Sequence, residues 1–351
     1  MPRDGVSFVV PVKNGVRWLE GVFAAIAAEA AVARRRGQAV EVIAVDDGST
    51  DGSPHLLATL AESGELRLLH GPRRGAAAAL NVAIRAARHP IICQIDQDVV
   101  LRPGWLGLVV DELDADPAVA AVQGHYVADP AHTLWARVMG LDLGERYAAI
   151  EGRDVDHVCT GNSAYRAAAL FAVGLFDESF GYGYDNDLSY RLVGAGYRLL
   201  LCRPAQSVHH FRPDAVSYFR QQFGLGYGRI DLVVKHPRRV GGDAVSGPLM
   251  MLHAPLVALA LALLLGAVPA AILGASGAAR AAAWMAAAII CLVALERLVA
   301  AARAFRRTGD PVAAFFIPAH LWRDLAWSGA IVVWVARRLL WRPRRPSDSM
   351  G

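Results

Sequence analysis

The chain of 351 residues is poor in charged side chains. Asp, Glu, Lys and Arg together make up 19% of it, whereas an ordinary soluble domain has about a quarter. Hydrophobic residues reach 54%, and the mean hydropathy is +0.31. This composition excludes an ordinary soluble protein over the whole length and predicts that part of the apolar surface faces lipid.

Cysteines are also few, and they are isolated from one another. The four are Cys93, Cys159, Cys202 and Cys291. No Cys-x-x-Cys pair and no Cys/His spacing typical of zinc sites is present. We therefore expect all four to be small buried side chains in a reducing compartment. The N-terminal segment MPRDGVSFVVPV has too short an apolar stretch for a signal peptide, so we expect the N-terminal domain to stay in the cytoplasm.

Basic charge is in excess and is concentrated in the C-terminal third. The net charge is +4. The arginines that flank apolar stretches there are Arg303, Arg306, Arg307, Arg337, Arg338, Arg342, Arg344 and Arg345. This arrangement is typical of cytoplasmic charges beside membrane spans. No aromatic platforms are interleaved with these arginines, so nucleic acid is not expected as a partner.

Residues 1–240 show strand patterns that alternate with helical patterns. The predicted strands are 6–12, 41–45, 66–70, 91–95, 119–123 and 197–202. The alternation predicts parallel pairing in an open α/β sheet, and such sheets bind ligands beyond the carboxyl ends of their strands. Asn14, the pair Asp46-Asp47 and the segment Asp96-Gln97-Asp98 all follow predicted strands. We therefore expect them at one edge of the sheet.

The pattern changes at Ser246. Residues 248–273 and 281–302 are almost wholly apolar, and each is long enough to cross about 30 Å of hydrocarbon. A third stretch, 312–341, is interrupted by charged side chains. A third full span would place the last arginines outside, against the positive-inside tendency. We expect two spans and an interfacial or partly re-entrant third segment.

These patterns divide the chain into two predicted regions. The first, 1–240, is the α/β domain, and the second, 241–351, is a membrane region with two to three hydrophobic helices and a basic tail. The expected location is the inner (plasma) membrane, with a multi-pass C-terminal region and the α/β domain in the cytoplasm.

Asp96-Gln97-Asp98 sets two carboxylates one residue apart, directly after a buried strand. Such a pair is costly unless a cation neutralises it. The hard divalent ions Mn²⁺ and Mg²⁺ take oxygen ligands and often bridge to substrate phosphates. An Asp-x-Asp pair alone is common on loops. Its position at a strand end is what predicts a metal site here.

The segment VDDGSTDGS, which contains Asp46 and Asp47, has two interpretations. One is a polar turn, because turns favour Gly, Ser and Asp. The other is a nucleobase site, because a carboxylate at this position can accept a hydrogen bond from a base N–H. A turn does not require paired aspartates immediately after an apolar strand, which favours the second interpretation.

Six segments, in this order, resemble family 2 glycosyltransferases. They are SFVVPVKNG, VIAVDDGSTDGS, GAAAALN, QIDQDV, TGNSAYR and GYDNDLSYRL, and the similarity extends over residues 5–235. The resemblance implies a GT-A fold, the Rossmann-like α/β fold of nucleotide-diphospho-sugar transferases, here followed by C-terminal transmembrane helices. It also implies sugar transfer with inversion at the anomeric carbon.

The resemblance also implies roles for individual residues. The nucleoside pocket is expected at Pro11, Val12, Asp46 and Asp47, with Asn14 nearby, Asp47 as the base contact, and Arg74 and Gly75 at the nucleotide's edge. Asp96 would contact substrate and, with Asp98, hold the metal, and His209 or His210 would complete that site. The loop Thr160-Gly161-Asn162 would lie beneath the acceptor.

Inversion needs a base on the acceptor side. Tyr184-Asp185-Asn186-Asp187 matches the family's Glu-Asp-x-Asp-type motif, so Asp185 is the expected base and Asp187 the alternative. Tyr184 stands where an acidic residue is usual. Asp185 is also placed to be a helix N-cap, and the two roles are compatible.

The segment RQQFGLGYGR, residues 220–229, is similar to the Gln-x-x-Arg-Trp motif of processive members but lacks its Trp. This departure favours transfer of a single sugar over polymerisation. The aromatic residues Tyr218, Phe219, Phe223 and Tyr227 recur along the same predicted helix. They indicate either an interfacial helix on anionic lipid or core packing.

The leading hypothesis is therefore a membrane-anchored transferase that moves one sugar from a nucleotide sugar, by default a UDP-sugar, to a lipid-linked or membrane-proximal acceptor. A sugar nucleotidyltransferase would want a Gly-rich basic loop after the first strand, and PVKNGVRW is not one. A non-catalytic membrane scaffold or binding protein predicts loss of the carboxylates. Asp47, Asp96, Asp98 and Asp185 are all present.

Overall fold

The computed structural model describes residues 4–127 and 131–340, which form two compact units. Unit 1 contains the chain up to Pro213 together with Asp243–Ser246, and unit 2 contains Asp214–Gly242 and the chain from Gly247. The functional division into 1–240 and 241–351 stays a prediction, since the two units divide the chain earlier, after Pro213. The tail arginines Arg342, Arg344 and Arg345 lie outside the described residues.

Unit 1 is an α/β unit. Its strands are β1 Val6–Val12, β2 Val40–Asp46, β3 Arg67–His70, β4 Ile91–Ile95, β5 Val99–Leu101, β6 Val119–Val127, β7 Asp154–Val155, β8 Asn162–Arg166 and β9 Arg198–His209. Its helices are α1 Val16–Arg35, α2 Ser53–Glu62, α3 Ala76–Ala86, α4 Trp105–Ala115, α5 Leu134–Ala148, α6 Ala167–Ala172 and α7 Tyr184–Gly194.

The strands form one mixed sheet in the order β3-β2-β1-β4-β8-β6-β9-β5, with β7 beside β9. The first four are parallel, as the alternation predicted. Strand β8 then runs antiparallel to both β4 and β6, so the expectation of parallel pairing is wrong for β8. The predicted strands β6 and β9 are again parallel to each other. Five residues of antiparallel strand leave no periodicity that differs from that of a parallel one.

The sheet is buried on both faces because helices cover both sides. Side chains alternate across a strand, so Phe8 and Val10 of β1 pack into one apolar cluster with Leu19 of α1. Val9 points the other way, into a second cluster with Leu80 of α3. These layers fix the positions of β1, β2 and β4, whose carboxyl ends carry the candidate site.

Unit 2 consists of α8 Ala215–Lys235, α9 Pro248–Ile272, α10 Ser276–Thr308 and α11 Phe316–Leu340, with short 3₁₀ turns at Pro237–Arg239 and Pro311–Phe315. In the described part of the chain, α9 and α10 are long and apolar enough to cross a membrane by length and composition. Helix α11 is not apolar enough to be counted as a candidate span. Its interfacial or re-entrant position stays a prediction.

Helix α8 packs within unit 2. Tyr218 is buried, the ring of Phe219 lies 4.9 Å from that of Trp322 on α11, and Trp327 Nε1 donates to Gln222. A Cβ at Gly226 would meet Trp327. Of the two interpretations of these aromatic residues, the contacts favour core packing.

The expectation that every cysteine is buried is wrong for two of the four. Cys93 and Cys202 are buried, Cys159 is half-buried and Cys291 is exposed. Cys291 lies on the outer face of α10, among apolar side chains that are exposed as well. On a helix of this composition, a small apolar side chain need not point into a protein core.

Candidate active site

An open cavity of about 390 Å³ lies at the carboxyl ends of β1, β2 and β4. Its lining comprises Pro11, Val12, Lys13, Asp47, Arg73, Gly75, Ala76, Ala79, Asp96, Gln97, Asp98, Tyr184 and Arg212. The predicted residues among these are Pro11, Val12, Asp47, Gly75, Asp96 and Asp98. The structure therefore brings part of the predicted nucleotide site, Pro11, Val12, Asp47 and Gly75, to the same cavity as the carboxylate pair Asp96 and Asp98.

Asp96 and Asp98 line this cavity, and His209, the last residue of β9, lies beside Asp98. His209 Nε2 lies 3.4 Å from Asp98 Oδ1. Desolvation and the neighbouring Asp98 charge raise the pKa of Asp96 to about 7. Burial also opposes ionisation of Asp98, but the charge and hydrogen bond of His209, together with the Arg212 charge, outweigh it and leave the pKa of Asp98 lowered.

This arrangement fits a divalent cation. Two carboxylates that cannot both ionise without cost offer oxygen ligands, and an imidazole beside them is a further ligand type. The ring of His210 lies against those of His132 and Trp18, at centroid distances of 5.1 and 6.5 Å. Its backbone N–H donates to the Asp98 carbonyl. The imidazole of His209 lies beside the carboxylates, with Nε2 3.4 Å from Asp98 Oδ1.

The loop Thr160-Gly161-Asn162 packs directly against Asp96. Asp96 N donates to the carbonyl of Gly161, and a Cβ at Gly161, whose φ is +89°, would overlap the Asp96 carboxyl group. The Asn162 side chain is fully buried and accepts from Trp105 Nε1 at 2.6 Å. The Thr160 carbonyl accepts from Tyr126. These residues are absent from the cavity lining given above, so their expected contact with acceptor stays a prediction.

Asp47 organises one wall of the cavity. Its Oδ1 accepts from the Arg73 backbone N–H at 2.6 Å and its Oδ2 from that of Gly75 at 2.8 Å. Lys13 Nζ donates to the carbonyls of Asp47 and Gly48. Each carboxylate oxygen retains a second lone pair for a nucleobase N–H. Asp47 can therefore hold the backbone of Arg73 and Gly75 and also bind a nucleobase, as predicted.

Three predicted residues contact protein groups beside the cavity and do not line it. Asp46 accepts from Ser49 N at 2.9 Å, and Asn14 accepts from Thr50 N at 2.7 Å. Arg74 pairs with Glu178 at 3.1 Å, while its neighbour Arg73, with a φ of +60°, lines the cavity. The sequence predicted Arg74 at the nucleotide's edge. It does not show that the backbone of Arg73 is left-handed, a conformation uncommon for residues other than glycine.

Gln97, the middle residue of the Asp-Gln-Asp segment, ties two loops together. Its Oε1 accepts from Lys13 N at 2.8 Å, and its Nε2 donates to the Lys13 carbonyl at 3.1 Å. A Cβ at Gly15 would overlap this amide. The loop after β1 is thereby held against the loop that carries the carboxylates.

The two candidate bases have different surroundings. Helix α7 begins at Tyr184 with Gly183 as its N-cap, so the alternative that Asp185 caps the helix is wrong. The Asp187 side chain is 0% exposed and pairs with Arg191 at 2.8 Å, which also donates to the Leu175 carbonyl. The Asp185 side chain is 22% exposed, and its Oδ2 lies 3.6 Å from His157 Nε2.

Seven residues of the cavity lining had no predicted site role: the apolar Ala76 and Ala79, and the polar Lys13, Arg73, Gln97, Tyr184 and Arg212. Lys13 directly follows β1, and Arg212 lies three residues after β9, so a search for basic residues after strands would have found both. Burial and the charges of Asp96 and Asp185 raise the pKa of Tyr184 well above its usual range. Its hydroxyl therefore stays protonated beside those carboxylates.

Two family models match the chain: Glycosyl transferase family 2 over residues 7–173, and Glycosyl transferase family group 2 over residues 91–302. The second alone covers more than half of the sequence. The chain belongs to glycosyltransferase family 2. This membership confirms the resemblance and favours a glycosyltransferase over the nucleotidyltransferase alternative.

Relatives of this family 2 glycosyltransferase include the pre-mycofactocin glycosyltransferase of Mycobacterium tuberculosis, 30% identical over 263 residues, which are 71% of this chain and 52% of that protein. The chain thus spans about half the length of that relative. The polyprenol monophosphomannose synthase of Mycolicibacterium smegmatis is 28% identical over 174 residues, 46% of this chain and 64% of that protein.

A solved structure is similar over nearly the whole chain. The mannosyltransferase from Pyrobaculum calidifontis, in complex with GDP-Man and Mn²⁺, superposes with a TM-score of 0.58 at 21% identity. The match covers 95% of this chain and 87% of that one. It confirms the predicted fold class, a GT-A α/β domain followed by long apolar helices.

Proposed function

We propose that this glycosyltransferase transfers a single sugar from a nucleoside diphosphate sugar to a lipid-linked or membrane-proximal acceptor, with inversion at the anomeric carbon. The observation that carries the proposal is the pair Asp96 and Asp98, with His209 beside it, in a cavity at the carboxyl edge of the sheet. Carboxylates gathered at such an edge are suited to a cation and a phosphorylated ligand.

Asp96, Asp98 and His209 would hold Mn²⁺ or Mg²⁺. A divalent cation there supplies positive charge against the departing diphosphate. Arg73 and Arg212, which line the same cavity, add guanidinium groups whose planar geometry suits phosphate oxygens. Asp47 is proposed as the nucleobase contact at the opposite wall.

Asp185 is the proposed base. As the acceptor oxygen forms its bond to the anomeric carbon, the hydroxyl proton passes to the Asp185 carboxylate, and the bond from that carbon to the diphosphate oxygen breaks. Asp187 is the weaker candidate because its carboxylate is fully buried against Arg191. A buried ion pair is a poor acceptor for a substrate proton, since breaking it leaves an uncompensated charge.

The acceptor proposal is supported by the apolar helices α9 and α10 and by a relative whose name includes a polyprenol substrate. Transfer of one sugar is supported by the missing Trp in RQQFGLGYGR. A UDP-sugar remains the default donor, although the solved neighbour carries GDP-Man. We propose the plasma membrane as the location, with two spans and a cytoplasmic catalytic domain.

The function is tested with the full chain purified in detergent and supplied with a panel of UDP- and GDP-sugars, with Mn²⁺ or Mg²⁺. One donor is expected to release nucleoside diphosphate, and Asp98→Asn to stop this release. Asp114→Asn, on the exposed side of α4, is the control and should keep full activity. Equal release by Asp98→Asn and wild type would overturn the metal assignment, and no release from any donor would overturn the function.

The base is tested separately. Asp185→Asn should abolish transfer to the acceptor while leaving donor binding within a few-fold of wild type, as measured by thermal stabilisation with the nucleotide sugar. Normal turnover by this variant would show that Asp185 is not the base and would direct attention to Asp187.

A further inference from the structure

Three side chains of different chemistry converge in unit 1, and one of them is the proposed base. His157 and Cys159 come from the loop between β7 and β8, and Asp185 comes from the first turn of α7. One potential ligand atom from each lies within 4.8 Å of the others. We call this group the His-Cys-Asp cluster. His157 is only 6% exposed, and its Nε2 faces Asp185 Oδ2 at 3.6 Å.

The groups behind these side chains resemble the outer shell of a metal site. His157 Nδ1 lies 4.0 Å from Asp243 Oδ1, and Tyr147 donates its hydroxyl hydrogen to Cys159 Sγ at 3.4 Å. A histidine that ligates a metal typically directs its other ring nitrogen to a carboxylate or carbonyl. Asp243 is itself held by hydrogen bonds from Asn186 and Tyr190, so this support is fixed.

The donor set differs from that of the proposed Mn²⁺ or Mg²⁺ site. Asp96 and Asp98 offer oxygen, which suits hard cations, whereas the His-Cys-Asp cluster offers nitrogen, sulfur and oxygen. Sulfur and imidazole favour zinc, and three protein ligands leave one position of a tetrahedral ion open.

The distances are close to those of an occupied site. Ordinary zinc bond lengths place tetrahedral ligand atoms about 3.3–3.6 Å apart. The His157–Asp185 distance of 3.6 Å already meets this spacing. The remaining distances, up to 4.8 Å, require a contraction of roughly 1 Å, which side-chain rotation can supply.

We propose that the His-Cys-Asp cluster binds one Zn²⁺ and that zinc bound there inhibits sugar transfer. On binding, the Cys159 thiol loses its proton to solvent, and Cys159 Sγ, His157 Nε2 and an Asp185 oxygen become ligands. The inhibitory part rests on the proposed function, because a carboxylate that coordinates zinc is a poor acceptor for the proton of the sugar acceptor's hydroxyl.

Binding is tested without any substrate. The full chain in detergent is stripped of metal and titrated with Co²⁺, a zinc probe whose bond to a thiolate absorbs in the near ultraviolet. One equivalent of Co²⁺ should produce this band, and Zn²⁺ should displace it. Cys159→Ser should lose the band and His157→Gln should weaken Co²⁺ binding at least 10-fold. Cys202→Ser, a buried cysteine on β9 outside the cluster, should keep the band, and thermal unfolding of each variant shows that it is folded.

Each outcome decides the proposal. A wild-type protein without the band, or a band that survives Cys159→Ser, would overturn the zinc site. In the transfer assay with saturating Mn²⁺, Zn²⁺ should inhibit the wild type with at least 10-fold greater potency than Cys159→Ser. Equal inhibition of both would overturn the regulatory part alone. Because the Co²⁺ titration needs no donor sugar, a failure of the proposed function and a failure of the zinc site are separately visible.

Discussion

Both units contain groups of charged side chains, but one group combines like charges and the other combines opposite charges. At the sheet edge of unit 1, carboxylates of like charge lie together, and burial, with the charges of Asp98 and Asp185 in addition, raises the pKa of Asp96. In unit 2, opposite charges are matched. Arg297 lies 3.1 Å from Asp324 and 3.0 Å from Glu296, and its other contact is His253 at 2.6 Å.

The matched group of unit 2 lies among apolar helices. Arg297, Asp324 and His253 are each less than 5% exposed, and they come from α10, α11 and α9 respectively. A charge in such surroundings is tolerated when a partner neutralises it. Arg323 belongs to the same group, with its Nε 3.6 Å from Asp324 Oδ1. The group therefore joins three helices through side chains of both signs of charge.

The contrast shows which of the two groups needs a ligand. In unit 2 the protein supplies both signs of charge, whereas at the Asp96–Asp98 pair it supplies an excess of one sign. Excess charge of one sign at a cavity is an arrangement that a bound cation relieves.

The largest effect is expected from breaking the matched group. Arg297→Met leaves Asp324 buried without its main counter-charge and should destabilise the protein by about 3–5 kcal/mol. The double variant Arg297→Met, Asp324→Leu should recover only part of this loss, because it removes the stranded Asp324 charge but takes from buried Arg323 the carboxylate 3.6 Å from its Nε. Thermal unfolding in detergent measures both.

Arg303→Met is the control for this experiment, since Arg303 is exposed on the same helix. It should change stability little. A double variant as unstable as Arg297→Met would contradict the view that charge matching, and not packing, is what Arg297 contributes.

The like-charge group should respond in the opposite way. Asp96→Asn should lower transfer by about 100-fold or more, the usual scale for loss of a group that stabilises developing charge. In the presence of a chelator, however, it should unfold at the wild-type temperature or above, because it removes a repelled charge. A clear loss of stability in chelator would show that the pair is a structural element.

Metal binding at this pair should depend on pH. Asp96 has a pKa of about 7 in the metal-free protein, so below that pH its carboxyl group is protonated and must release a proton when metal binds. The affinity for Mn²⁺ should rise about 10-fold per pH unit up to about pH 7 and then level off. Calorimetric titration between pH 5 and pH 8 measures this slope, and an affinity independent of pH would contradict it.

The smallest effect separates two neighbouring arginines. Arg73→Gln should weaken nucleotide-sugar binding by about 3–5-fold, the scale of a solvent-exposed ionic contact. Arg74→Gln should leave binding unchanged, because Arg74 pairs with Glu178 beside the cavity. Thermal stabilisation by the donor compares the two, and a larger effect at Arg74 would reverse their assignment.

Much of the site was predictable from local patterns. Asp47, Asp96 and Asp98 follow short apolar strands, and parallel strands bring their carboxyl ends to one edge. Groups of side chains that meet only through the packing of distant segments were not predictable. Cys159 and His157 meet Asp185 only because β8 enters the sheet antiparallel between β4 and β6, and no spacing in the sequence records that insertion.

Strand β9 shows a second limit. The sequence predicts a strand over 197–202, whereas the structure continues it to His209. Pro204 lies in the extension, where the register against β6 shifts between Gly124 and His125. Proline removes a ladder hydrogen bond and normally ends a strand. The irregularity accommodates it, and the continued strand carries His209 to Asp98.

The short segment Asp243–Ser246 has a practical consequence for anyone who wants the catalytic half in soluble form. Asp243 accepts hydrogen bonds from Asn186 and Tyr190 and from the backbone N–H groups of Val245 and Ser246. A truncated form that stops at Pro213 would remove this carboxylate and leave the buried Asn186 amide and Tyr190 hydroxyl without their acceptor. Unit 1 is therefore discontinuous in the sequence. A soluble version of it must include Asp243–Ser246, which follow α8, as well as the chain up to Pro213.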